Sequence, residues 1–191
     1  MLTAFHQEAL RTFTERVRQI TDAQWNHSTP CAEWSVRDLV NHLAGEQLWA
    51  PLLLSGLTID QVGDRFDGDV LGPDPVLRWE RVAAEAAAAF SAPGVRAGEV
   101  HLSYGTRSAV HYLQEMADDL VVHSWDLGRA IEVRTPIPPS LVTSILARYE
   151  PRKEELAKPP YFRPALLISD SAPAEARMAA LFGRDPNWAA R

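Results

Sequence analysis

The sequence predicts a mainly α-helical protein, a four-helix bundle with a long crossover and a small C-terminal extension. Three observations lead there. Four segments repeat apolar residues at steps of three and four, the period of a helix with one buried face. A weakly alternating stretch, residues 95–104, separates the third of these from the fourth. After the fourth, Pro136, Pro138 and Pro139 break the chain. The bundle is therefore assigned to residues 1–135 and the extension to 136–191.

The first helix carries Leu2, Phe5, Ala9, Phe13, Val17 and Ile20 on one stripe, with Glu15, Arg16 and Arg18 on the wet side. Ser28-Thr29-Pro30 reads as a loop. Ser35 followed by Asp38 resembles a capping box, and the second helix it opens turns Val36, Leu39, Val40 and Leu43 inward. Pro51 is expected to bend that helix or end its regular part before Gly56. Residues 57–73, with three glycines and a proline among acids, read as a long surface loop.

Asp74 and Pro75 form the cap and first position of a third helix bearing Trp79, Val82, Ala83, Ala86 and Phe90. Residues 95–104 are expected to cross over in extended form. The fourth helix is expected to start near Thr106, with Leu113, Met116, Leu120, Ser124, Leu127 and Ile131 as its core stripe. In the extension, a helix from 140 to about 158, an edge strand within 161–169 and a helix from Pro173 to Gly183 are expected. The last of these is apolar enough to suggest a homodimer interface.

Composition narrows the function. With 46% apolar residues the chain can pack a core, and Lys plus Arg at 19 against Asp plus Glu at 25 gives a net charge of −6. That balance argues against nucleic acid, which is bound mainly through Lys and Arg. Cys31 is the lone cysteine, which excludes an intrachain disulfide and suits a reducing cytoplasm. The N-terminus lacks the basic-then-apolar order of a secretory signal. The longest uncharged apolar stretch, residues 48–59, falls well short of the roughly 20 residues a membrane span needs. Trp25, Trp34, Trp49 and Trp79 are read as core or pocket lining.

A metal site in such a chain must use histidine and carboxylate. Asp119 and His123, four apart on the fourth helix, rise from adjacent turns of one face. His42, three residues after Leu39, holds the matching place on the second helix. Packed together they offer two imidazoles and one carboxylate with a coordination position left open, the pattern of a catalytic metal. Zn²⁺ suits that set, as do Fe²⁺, Ni²⁺ and Mn²⁺. The same spacing also describes an ordinary solvated i,i+4 pair. Asp38 and Glu46, one turn either side of His42, are candidates to orient its ring. His6, His27, His101 and His111 are assigned surface or capping roles, and Cys31 the part of a small buried hydrophobe.

Two stretches carry a resemblance. STPCAEWSVRDLVNHLAGE, residues 28–46, resembles the opening motif of the mycothiol-dependent maleylpyruvate isomerase N-terminal-like family, within the wider DinB-like four-helix superfamily. DDLVVHSWDLGRAIE, residues 118–132, resembles the same family's H-x-W-D-L helix. The closing APAEARMAALFGRDPNW is similar to the tail of an actinobacterial metal-binding branch. The resemblance implies a DinB-like bundle with a divalent metal on His42, Asp119 and His123. The family often has Glu or His where Asp119 stands, so the ligand here is shorter.

By the same resemblance the protein is a metal- and mycothiol-dependent S-transferase or thiol-dependent isomerase acting on a small electrophile. The metal would lower the thiol pKa, and Glu46 is the candidate proton shuttle. Trp125 and Asp126, part of the recurring motif, are read as packing and helix-orienting residues. The family's isomerase takes a catalytic arginine from a second domain, and none of Arg148, Arg152, Arg163, Arg177 and Arg184 can be matched to it. Transferase chemistry is thus the less demanding expectation. The contrasting expectation is a non-catalytic metal- or ligand-binding module of the same fold.

Overall fold

The computed structural model describes residues 2–133, 135–156 and 163–190. Four long helices form the bundle: α1 (Leu2–Val17), α2 (Val36–Leu54), α4 (Pro75–Ser91) and α5 (Ala109–Ala130), with a one-turn α3 (Ile59–Val62) between α2 and α4. Helix α1 packs against α5 and α4, and α2 against α4 and α5, so the four enclose a common core. The expected stripes are the ones that close it: Ala9, Phe13, Val17, Leu39, Val40, Leu43, Trp79, Val82, Leu120 and Leu127 are all buried. The fold is mainly α and DinB-like, as expected.

Local chemistry sets the helix ends. Ser35 and Asp38 complete a reciprocal capping box at the start of α2, the Ser35 hydroxyl accepting from the Asp38 N–H. Asp74 accepts from the Leu77 N–H at the start of α4, with Pro75 at its first position. Pro51 does not end α2, which runs on to Leu54. Only one N–H is lost there, and Leu53 is still buried beyond it.

Residues 57–73 are anchored rather than a free loop. The Asn41 side chain donates to the Gly68 carbonyl (2.9 Å) and accepts from the Val70 N–H (2.8 Å). Arg37 reaches Asp69 (2.7 Å) and the Gly72 carbonyl (2.8 Å), and Leu71 is buried. Polar side chains on α2 thus supply the order that turn composition conceals.

The crossover is a hairpin. Strand β1 (Glu99–Leu102) pairs antiparallel with β2 (Gly105–Ser108), Glu99 opposite Ser108. Residues 105–108 therefore belong to a strand, and α5 begins at Ala109, where the Ser108 hydroxyl accepts from the His111 N–H.

In the extension, α6 (Pro139–Tyr149) is followed by a 3-10 turn over Glu150–Arg152 and a short α7 (Lys153–Leu156). One continuous helix was expected as far as about 158. Pro151 has no N–H to continue it, and residues 157–158 with the Pro159-Pro160 stop lie outside the described residues. The expected strand is absent over 163–169, and 161–162 lie outside the described residues.

Helix α8 (Ala174–Leu181) packs on α6 and α5, burying Met178, Ala179, Ala180 and Leu181 within the chain. Its apolar face is therefore used internally. Together α6 and α8 cover the side of α5 that a free four-helix bundle would leave wet. As a result α5 is buried almost all round from Met116 to Gly128, Asp118 and Asp126 included. No helix among the described residues is long and apolar enough to cross a membrane.

Candidate metal centre

The packing of α2 against α5 brings His42, Asp119 and His123 together. One ligand-capable atom from each lies within 4.8 Å of the others. Asp119 Oδ2 sits 3.5 Å from His42 Nε2 and 3.5 Å from His123 Nε2. Both separations are long for a hydrogen bond, and this buried oxygen has no hydrogen-bond partner. A carboxylate oxygen equidistant from two imidazole nitrogens and bonded to neither is costly to bury as it stands.

His123 is held from behind. Its Nδ1 lies 2.9 Å from Asp126 Oδ2, three residues on and fully buried. An ionised carboxylate only accepts, so Nδ1 carries a proton and Nε2 is the nitrogen that faces Asp119. Asp126 is in turn fixed by Arg184, whose Nη2 donates to Oδ2 (2.9 Å) and Nε to Oδ1 (3.2 Å). The motif aspartate thus orients a histidine rather than the helix.

Trp34 roofs the pair, its ring 4.7 Å from His42 and 5.8 Å from His123 between centroids, the latter stacked. The loop that presents it is tied by Thr29 N–H to the Trp34 carbonyl and Trp34 N–H to the Cys31 carbonyl, with Glu33 at a left-handed φ of 72°.

Electrostatics sharpen the contrast among the acids. Burial alone would raise the Asp119 carboxyl, but His123, His42 and Arg184 outweigh it and hold Asp119 well below the ordinary carboxylate range. Burial likewise lowers both imidazoles. The carboxylates of Asp119 and Glu46 reverse that for His42, and those of Asp119 and Asp126 for His123, so both are raised. Glu46 is pushed well above the usual range, by burial first and by the charge of Asp119 next. Its Oε1 is 3.7 Å from His42 Nε2, and its Oε2 is buried without a hydrogen-bond partner.

These groups line a cavity of about 390 Å³ with Cys31, Trp34, Arg163, Gly183 and Arg184. Gly183 is needed there. Its φ is +74°, and an added Cβ would come within 2.7 Å of the Arg163 carbonyl oxygen. Burial pushes the Cys31 thiol up to about 11, and the side chain stands half-buried at the cavity wall rather than in the core. Cys31 also groups with His123 and Asp126 as potential ligands.

Several expectations are corrected. Asp38 does not face His42; it caps α2. His6 is not a surface group but is buried edge-on against Phe90, and burial lowers its imidazole to about 4. Arg184 is matched to no role by spacing, yet it completes the chain Arg184–Asp126–His123. Its only signal in the sequence was position, beside a glycine in the C-terminal motif.

Comparison with known proteins agrees with this architecture. Residues 6–128 match the family described as the mycothiol maleylpyruvate isomerase N-terminal domain. Uncharacterised proteins from two strains of Mycobacterium tuberculosis are 29% identical over 148 residues, 74% of this chain and 74% of theirs. Among solved structures, the crystal structure of the mycothiol-dependent maleylpyruvate isomerase superposes with a TM-score of 0.62 at 16% identity, covering 82% of this chain and 68% of that one. A histidine-to-alanine variant of that enzyme gives 0.60 at 15% identity over the same shares. At such identities the superpositions speak for the fold.

Proposed function

The chain belongs to the mycothiol maleylpyruvate isomerase N-terminal domain family, and from that premise we propose a divalent-metal-dependent enzyme that joins mycothiol to a small electrophile. The reaction is S-transfer, or an isomerisation passing through a thiol adduct. The observation that carries the proposal is Asp119 Oδ2, unpartnered and 3.5 Å from both imidazole Nε2 atoms. Ligands about 2.0–2.1 Å from a tetrahedral Zn²⁺ lie roughly 3.4 Å from one another, so the spacing suits a shared ion. His42, Asp119 and His123 would hold it; Zn²⁺ is the first choice, with Ni²⁺, Fe²⁺ and Mn²⁺ compatible with the same donors.

A divalent ion at this position supplies the charge that lets a thiol persist as thiolate at neutral pH. The chain's own residues do the rest. Asp126 and Arg184 fix the tautomer and aim of His123. Trp34 packs its ring against both imidazoles and limits their movement. Glu46, raised by burial, keeps a proton at its free Oε2 and delivers it to the adduct. The cavity, at about 390 Å³, lies within the range of small-molecule sites. A thiol cosubstrate of this kind places the reaction in a reducing cytoplasm.

The test is conjugation. Metal-loaded protein is incubated with mycothiol and monochlorobimane, and the S-conjugate is measured. Turnover above the uncatalysed rate, lost in folded His123→Ala, is the expected result. Ion binding without conjugation of this or other electrophiles, and without isomerisation of maleylpyruvate, would instead identify a non-catalytic metal-binding module.

A further inference from the structure

Arg16, expected on the wet side of α1, is instead only 4% exposed. Its Nη1 donates to the Thr12 carbonyl (3.0 Å) and its Nη2 to the Thr135 carbonyl (2.9 Å), both neutral acceptors. Its Nε has no hydrogen-bond partner. No described carboxylate forms an ion pair with it; Glu175 and Glu15 act only at longer range, and Glu175 Oε1 already accepts from the Ile137 N–H (2.8 Å). A cation buried without a paired anion is among the costlier arrangements a fold can keep.

Across from Arg16, α5 presents Ser124, fully buried, with a hydroxyl that also lacks a partner. Gly128 lies four residues on, and so on the same face. A Cβ at Gly128 would stand 3.1 Å from Arg16 Nε, so glycine at this position is what lets the guanidinium lie against α5. Arg16, Ser124 and Gly128 line a cavity of about 420 Å³, whose walls include Trp125 and Trp188. This cavity shares no lining residue with the histidine cavity.

We propose that this is a second ligand site, taking a small monocarboxylate whose oxygens accept from Arg16 Nε and Ser124 Oγ while its apolar body lies against Trp125 and Trp188. The oxygens supply the missing anion and the missing acceptor together. Arg16 and Arg129 balance Glu132 and Glu175 along the cavity wall, so the lining accommodates one added negative charge more readily than two. A single carboxylate on an aromatic or branched aliphatic body is therefore the matching chemistry.

The probe is sodium benzoate, titrated at constant ionic strength into the full chain and followed by amide and indole NMR signals. Saturable shifts at Ser124, Gly128 and the Trp125 and Trp188 indoles are expected, with none from neutral benzamide. Ser124→Ala removes only the hydroxyl, and Gly128→Ala crowds Arg16 Nε with a residue favourable to helix. Each is expected to weaken benzoate binding about tenfold. Absence of saturable shifts, equal shifts from benzamide, shifts confined to the histidine cavity, or unchanged affinity in both variants would overturn the proposal.

Discussion

Asp118 and Asp119 are neighbours on one helix and meet opposite fates. Asp118 is closed: Gln114 Nε2 donates to Oδ1 (2.9 Å), the Tyr149 hydroxyl donates to Oδ2 (2.9 Å), and Arg148 stands 3.4 Å away. Asp119 faces the other way, into a cavity, with Oδ2 bonded to nothing and two imidazoles at 3.5 Å. Burial raises Asp118 to about 6, whereas the imidazoles keep Asp119 ionised. One carboxylate has its hydrogen bonds supplied by the fold, and the other is left for a ligand. The difference lies in what each side of α5 packs against, because the two residues are identical and adjacent.

The largest expected effect is on metal-linked stability. Metal-free protein titrated with Zn²⁺ gains about 4 kcal/mol when free ion reaches roughly a thousand times Kd. Chemical denaturation should show that increment intact in Asp118→Asn and erased in Asp119→Asn. The affinity is also expected to rise with pH through the neutral range, because His42 and His123, both raised, must each lose a proton to bind. A pH series of the same titration reads the slope.

Behind the ligands, Asp126→Asn exchanges the acceptor that fixes His123 for a weaker one. A loss of about 10–100-fold in metal affinity follows, seen by competition with a chromogenic chelator while circular dichroism shows the helices retained.

On the closed side, the folded chain holds the Asp118 proton more tightly than the unfolded chain. The contribution of Asp118 is fully present below about pH 4 and is lost as pH rises through about 6. Asn carries no such proton. The stability of Asp118→Asn relative to wild type should therefore rise by about 3 kcal/mol across that window. Urea unfolding at several pH values gives the trend, and a flat difference would show that Asp118 does not titrate there.

The smallest effect concerns the cavity wall. Gly183→Ala forces a side chain into a left-handed φ and against the Arg163 carbonyl, at a cost of about 1–3 kcal/mol. Melting of the variant reads that cost directly.

The four long helices were legible because each has a stripe of the right period and a cap or breaker near its ends, as with Ser35, Asp74 and Pro75. The meeting of His42 with the Asp119–His123 pair was legible too, since all three flank core stripes on helices that must pack. What was hidden depends on long-range cover. Asp126 reads as a helix residue until Arg184, 58 positions later, is seen folded over it. Asn41 gives no hint that it pins residues 68 and 70. The hairpin over 99–108 escaped because its strands are four residues each, too short for alternation to stand out. The spacing to His123 marks Asp119, but nothing in the sequence shows that Asp118 is closed off, because Arg148 and Tyr149 reach it from the end of α6.

The most direct measurement is metal content. Purified protein is analysed for its metals, then stripped and titrated with Zn²⁺ beside folded Asp119→Asn and His123→Ala. One ion per chain in the wild type, and none in either variant, is the expected result. No metal above background and no uptake on titration, or equal uptake in both variants, would contradict a metal centre at His42, Asp119 and His123.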